Sequence, residues 1–246
     1  MPKDGGAVAP LLDQPMGRVE SFGLDESSVY VPARGVITAV PVGGGPARRI
    51  ADAPSVTSLA VGAGRVFWVE VAPPGEKPTA KSVPVSGGVA TEHALPLEAA
   101  SLPAYFAVAD ADAVYVSFVT GGIARVPTDG GAVTFLDAPG ARGLATDPTA
   151  VVYGYREHVG AVPKSGGPPV EVVKAQSALG VATDGRKIYF VENEPRGRVL
   201  SVPRSGGPVR VLAEDQANPH GIAVDETRVY WTCIDEGTIK AVAKEP

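Results

Sequence analysis

Apolar residues in this chain come in short runs broken by polar turns, and the alternation recurs. The clearest copy is "GIAVDETRVYWT" (221–232): an apolar run, a turn at Asp225, then a run rich in β-branched and aromatic residues. It returns as "GVATDGRKIYFV" from 180 and "GLATDPTAVVYG" from 143. Weaker copies are "FAVADADAVYVS" from 106, "SLAVGAGRVFWV" from 58 and "SFGLDESSVYVP" from 21. Each reads as strand, turn, strand. A third run follows and ends at Val-Pro, then a Gly-Gly turn, then a fourth run such as "VRVLAE" (209–214). The turn appears as "VPVGGG" (40–45), "VPVSGG" (83–88), "VPTDGG" (126–131), "VPKSGG" (162–167) and "VPRSGG" (202–207). Its prolines, Pro2, Pro41, Pro84, Pro127, Pro163 and Pro203, step by 39, 43, 43, 36 and 40 residues. Helical spacing of apolar residues is missing. Four short strands per unit of about 40 residues predict propeller blades.

Six units cover the chain, so the pattern predicts an all-β, six-bladed β-propeller of four-stranded antiparallel blades in one domain, 1–246. The chain opens on the turn "MPKDGG", and the last unit, 221–244, has only three strands. The segment "AVAPLLD" (7–13) is therefore expected to supply the missing fourth strand and close the ring, which removes two free edges.

Composition narrows function mainly by exclusion. The 246 residues are 44% hydrophobic, with 30 Gly and 24 Pro, and no apolar stretch is long enough to span a membrane. Net charge is −5 with no basic stripe, which argues against nucleic acid. A lone cysteine, Cys233, allows no intrachain disulfide. Its acidic neighbours Asp235 and Glu236 favour an inert thiol. "MPKDGGAVAP" is no signal peptide, so the protein is either cytosolic or a secreted, periplasmic or cell-surface protein whose signal segment has been removed. A ring closed by its own ends is expected to be a monomer.

"GIAVDETRVYWT" resembles the YWTD repeat, the class B repeat of low-density-lipoprotein receptors, which has similar counterparts in bacterial secreted propellers. The resemblance runs through all six units and implies a propeller used as a binding scaffold. One departure is that Cys233 stands where the family has Asp, so any role of that Asp does not carry over.

Asp25, Asp110, Asp147, Asp184 and Asp225 precede the first turn of their units, and Gly62 replaces the sixth. Repetition at a turn favours capping of backbone N–H groups over a ring of metal ligands. The Gly-Gly pairs fit turns that need positive φ better than a phosphate cradle. Tyr30, Phe67, Tyr115, Tyr189 and Tyr230, with Val152 in the remaining unit, read as blade-to-blade packing.

Residues that break the repeat are the better candidates for function. The Asp turns and Val-Pro turns share one uniform face; the opposite face carries the variable loops. There, the residue before each first strand is expected to rim the central channel: Glu20, Thr57, Tyr105, Arg142, Leu179 and His220. The loops after the second strands add Glu70, Tyr155, Arg156 and Glu192, with Arg34, His158, Asn193, Arg196 and Asp235 nearby. The longest of these loops is "EVAPPGEKPTAK" (70–81).

Three functions compete. The first is a non-catalytic scaffold that binds a protein, peptide or small ligand and needs no cofactor. The second is a metal-dependent hydrolase or lactonase similar to regucalcin, with Ca2+ or another divalent ion at the channel mouth held by Glu20, Glu70, Glu192, Asn193 and Asp235. The third is a lyase of virginiamycin-B type, since "NPHGIAVD" (218–225) resembles that family's repeat and His220 would act as base. Those lyases are similar to seven-bladed propellers, which this chain is not. The scaffold is the preferred expectation because no nucleophile motif is present.

Overall fold

The computed structural model describes residues 21–70, 79–93, 95, 104–118 and 121–244. Among them every strand pairing is antiparallel, and every sheet follows chain order. Connections of a few residues permit only that meander. The first sheet is β1 (Gly23–Leu24), β2 (Ser28–Ala33), β3 (Val36–Pro41) and β4 (Arg48–Asp52). The second is β5 (Val56–Gly62), β6 (Arg65–Glu70), β7 (Thr79–Pro84) and β8 (Thr91–His93). The third is β9 (Ala104–Ala109), β10 (Ala113–Phe118), β11 (Ile123–Pro127) and β12 (Thr134–Leu136). The fourth is larger: β13 (Gly143–Thr146), β14 (Ala150–Pro163), β15 (Val170–Thr183), β16 (Lys187–Glu192), β17 (Gly197–Pro203) and β18 (Arg210–Gln216). The last is β19 (Pro219–Val224), β20 (Arg228–Cys233) and β21 (Thr238–Ala243).

The expectation of six blades is thus corrected to five. The fourth sheet has six strands because two repeat copies run together in it. Its strand β15 pairs with β14 through Val170–Lys174 and again at Ala178, and with β16 from Ala178 to Thr183, so one strand serves both copies. The cause is local. Proline interrupts the other described passages between sheets, at Pro54, Pro139 and Pro219, whereas "VEVVKAQSALGVAT" has none to end the strand. Flanking β14, the Lys164 N–H donates to the Thr149 carbonyl at 3.0 Å, so the chain at the strand's two ends lies side by side. The strand therefore doubles back, around Arg156 at φ +34°. The expected ring closure by 7–13 has no counterpart among the described residues. That segment lies outside the described residues, and the last sheet has three strands among them.

The sheets stack face to face, and the core lies between neighbours. Tyr30 and Ile37 of the first sheet pack with Leu59, Val66 and Trp68 of the second. Phe67 and Val69 meet Val114, Val116 and Phe118 across the next interface. Tyr115 and Ile123 meet Val151 and Tyr153, while Tyr189 and Val191 meet Trp231 and Cys233. Middle strands are covered on both faces, as in β10, where all six residues of "AVYVSF" are buried. This explains the unbroken apolar runs. Inner strands approach still more closely. A Cβ on Gly143 would lie 2.1 Å from the Leu179 carbonyl oxygen, and one on Gly180 would lie 2.3 Å from that of His220.

Candidate functional site

The uniform face is a network in which most charges are matched. Oδ1 of Asp25, Asp110, Asp147, Asp184 and Asp225 accepts the N–H groups two and three residues on, at 2.7–3.0 Å. That is the capping role expected of a repeated turn carboxylate. Oδ2 has a second partner that the sequence did not reveal. Tyr30, Tyr189 and Tyr230 donate their hydroxyls to the Asp five residues earlier, at 2.8–3.0 Å. The recurring tyrosine is therefore a turn lock as well as a packing residue. Burial and the hydrogen bond to Asp25 push the Tyr30 phenol up to about 12.

Cations complete the network. Lys164, Arg204 and Lys244, each following the third run of its unit, pair with Asp110, Asp147 and Asp184 of the unit before. Burial alone would raise the carboxyl pKa of Asp147. Hydrogen bonds from Arg204 and from the N–H groups of Thr149 and Ala150 outweigh it and hold the group below the usual carboxylate range. Asp110 and Asp184 behave alike, with Lys164 and Lys244 in the place of Arg204. The Tyr115 hydroxyl has no hydrogen-bond partner among the described residues; Lys164 instead sits 5.6 Å from its ring centroid.

On the variable face the predicted residues divide. Glu20 lies outside the described residues, as does most of the 70–81 loop. Tyr105 lies on β9, and Thr57 lies inside β5, where its hydroxyl donates to the Val69 carbonyl at 3.2 Å. Glu70 and Glu192 end equivalent strands and are both buried. Glu70 accepts Trp68 Nε1 at 2.9 Å and Lys81 Nζ at 2.7 Å. Glu192 accepts the Gln176 N–H at 2.8 Å and Arg198 Nε at 2.7 Å. Both carboxylates are thereby committed to protein cations. Asp235 is bonded by the Asn218 amide, and Asn193 Nδ2 donates to the Pro219 carbonyl at 3.1 Å. No three His, Cys, Asp or Glu side chains come together as a metal-binding set among the described residues. Replacing Glu192 with alanine should cost about 2 kcal/mol, because the Gln176 N–H and part of Arg198 lose their partner. The loss should be the same with and without EDTA in thermal unfolding. A loss that appears only when metal is present would make Glu192 a ligand.

Arg142, Arg156 and Leu179 do come together. They line a cleft of about 180 Å³ with Glu157, Ser177, Ala178, Asn193 and Glu194. Four segments build it: the approach to β13, the reversal in β14, the middle of β15 and the end of β16. The Arg142 N–H is fixed to the Gly154 carbonyl at 2.8 Å, and the Asn193 N–H to the Ser177 carbonyl at 3.1 Å. Tyr155 stands beside it, with the Arg156 guanidinium 6.0 Å from its ring centroid and the His158 ring 5.6 Å away, edge-on. His220 adjoins this region through its carbonyl, which leaves no room for a Cβ at Gly180. Burial lowers its imidazole pKa. The positive φ of Ser177 (+51°) recurs at Asn218 (+47°), and both carbonyls accept the N–H that follows or closely follows a second strand. The strain is thus a repeat feature of the scaffold. Of two other clefts, the one at Asp112–Ala132 is built largely from the repeated turns, and the one at Pro163–Arg204 is lined mostly by strand residues of β14 and β15 beside such a turn.

One contact was not legible in the sequence. Ser82 Oγ lies 2.9 Å from His93 Nε2. It resembles a nucleophile pair, but Ser82 is fully buried and its oxygen also takes Arg65 Nη2 at 2.9 Å. Burial and then the Arg65 charge lower the His93 pKa. The pair is a core hydrogen bond.

No protein-family model matches the chain, and no curated protein matches it. Solved structures do. A chain of a nidogen–laminin complex is 16% identical over 85% of this chain and 86% of that one, with a TM-score of 0.62. Hydrazine synthase of Kuenenia stuttgartiensis is 13% identical over 97% and 80%, with a TM-score of 0.75. PorZ, a bacterial surface component of the type-IX secretion system of Porphyromonas gingivalis, is 13% identical over 93% of this chain but 33% of its own, with a TM-score of 0.67. The chain is a β-propeller. Identities this low carry the fold and nothing finer. No helix among the described residues is long and apolar enough to cross a membrane.

Proposed function

We propose that this propeller is a non-catalytic binding scaffold that takes a protein, peptide or small ligand at the variable-face cleft between Arg142 and Arg156. One contrast carries the reading. Buried or half-buried acids such as Asp110, Asp147, Asp184, Glu70 and Glu192 are matched by cations. The arginines of the cleft have no ion-pair partner among the described residues. Arginine beside tyrosine in a concave site is a composition suited to recognition. The YWTD-like repeats point the same way. So do the neighbours: one was solved in a nidogen–laminin complex, and another is a surface component of a secretion system. They also favour a secreted, periplasmic or cell-surface location.

The test is capture on immobilised protein, followed by rebinding of the purified, identified partner. Arg142→Ala/Arg156→Ala should weaken that rebinding at least tenfold. Equal binding by the double variant would move the site elsewhere.

A further inference from the structure

We infer that the cleft takes a zwitterion of amino-acid size, with its carboxylate toward Arg142 and Arg156 and its ammonium toward Glu157 and Glu194. This rests on the binding reading above and specifies the ligand. Two arginines and two glutamates are among the lining residues, so their formal charges cancel. A simple anion would gain from the arginines and be repelled by the glutamates, and a simple cation the reverse. A ligand with both charges is complementary to all four groups.

The four groups are also available. None is ion-paired with another or with any described residue, and all four side chains are exposed. They come from three separate segments, at 142, at 156–157 and at 194. Arg156 and Glu157 are chain neighbours in the β14 reversal, yet they form no ion pair. This differs from the variable-face pairs that do close, Arg196 with Asp215 and Lys240 with Glu236.

Size and wall chemistry agree. A volume of about 180 Å³ is room for several waters and admits a small amino acid. Half-buried Leu179 is the apolar lining residue left partly exposed for a side chain to meet, since Ala178 is buried in the core. Ser177 and Asn193 add neutral polar groups. Asn193 has committed its Nδ2 to Pro219, which leaves its carbonyl oxygen as an acceptor for an ammonium.

The experiment is titration of the whole chain, followed by NMR, with L-alanine and L-leucine and with two half-blocked forms, N-acetyl-L-leucine and L-leucinamide. The zwitterions should bind at least tenfold more tightly than either blocked form. Arg142→Ala/Arg156→Ala should abolish leucine binding. Glu157→Gln/Glu194→Gln should weaken leucine yet strengthen N-acetyl-leucine, a reversal of sign that a structural defect does not produce. Equal binding of leucine and its blocked forms, or indifference to both double variants, overturns the proposal. If no amino acid binds but a purified partner binds in an Arg142-dependent way, the zwitterion fails and the scaffold reading stands. If neither binds, both fail.

Discussion

Gly143→Ala and Gly180→Ala should each destabilise the fold by about 3 kcal/mol, while Gly43→Ala should be close to neutral. In both damaging cases the new methyl meets backbone. It would sit 2.1 Å from the Leu179 carbonyl oxygen or 2.3 Å from that of His220. A side chain could rotate away, but a carbonyl within a strand moves only if its strand moves. Each strand here is held in a ladder on one side and packed against a neighbouring repeat on the other. Gly43 has nothing within 4 Å of the same point and no positive φ, so it isolates contact from conformation. Urea unfolding of the three variants gives the comparison. Wild-type stability for Gly143→Ala would mean that the inner strands are not this close.

The second large effect belongs to the turn network. Asp147→Ala should cost about 3 kcal/mol, because it leaves two N–H groups and the Arg204 guanidinium without their acceptor. The Asp147 side chain is 4% exposed, so water does not replace it. Asp147→Asn keeps the capping oxygen and should cost less. The pH dependence follows from the direction of the shift. The folded pKa of Asp147 lies below its unfolded value of about 3.9, so below that pH the unfolded chain binds more protons. The stabilisation is present above about pH 4 and lost as pH falls through the folded pKa. Asp110 and Asp184 add to it with the same sign. Unfolding free energy should drop steeply on acidification below about pH 4, and less steeply in Asp147→Asn. A pH-independent wild type between pH 5 and pH 2 would remove these ion pairs from the account.

What the sequence disclosed follows the range of each interaction. The Asp turns and the Pro-x-x-Gly turns were legible because they close within a few residues: the Gly206 N–H returns to the Pro203 carbonyl at 2.8 Å, with Gly206 at φ +81°. The sheets were legible from alternating runs and punctuation. Blade count was misread where punctuation fails, in the proline-free passage around Gln176. The ladder of Lys164, Arg204 and Lys244 was missed because its partners are 54 or more residues apart and only the stacking of sheets joins them. Glu70 and Glu192 looked like possible ligands because exposure is easily assumed for a loop-flanking acid. Lys81 and Arg198, on the adjacent strands, were the signals that should have argued otherwise. Of the ten residues expected on the binding face, Arg142, Arg156 and Leu179 share one cleft, with Tyr155 beside it. That grouping depends on how β14 reverses and β15 bends, which no short motif encodes.

The measurement that bears most directly on a cleft built for binding is the unfolding free energy of Arg142→Ala/Arg156→Ala, taken on the same samples used for ligand titration. Charges left unmatched for a ligand do not hold the scaffold together, so stability should stay within about 0.5 kcal/mol of wild type while binding is lost. A stability loss near that of Asp147→Ala, with no binding to lose, would make the two arginines part of the framework and contradict the assignment.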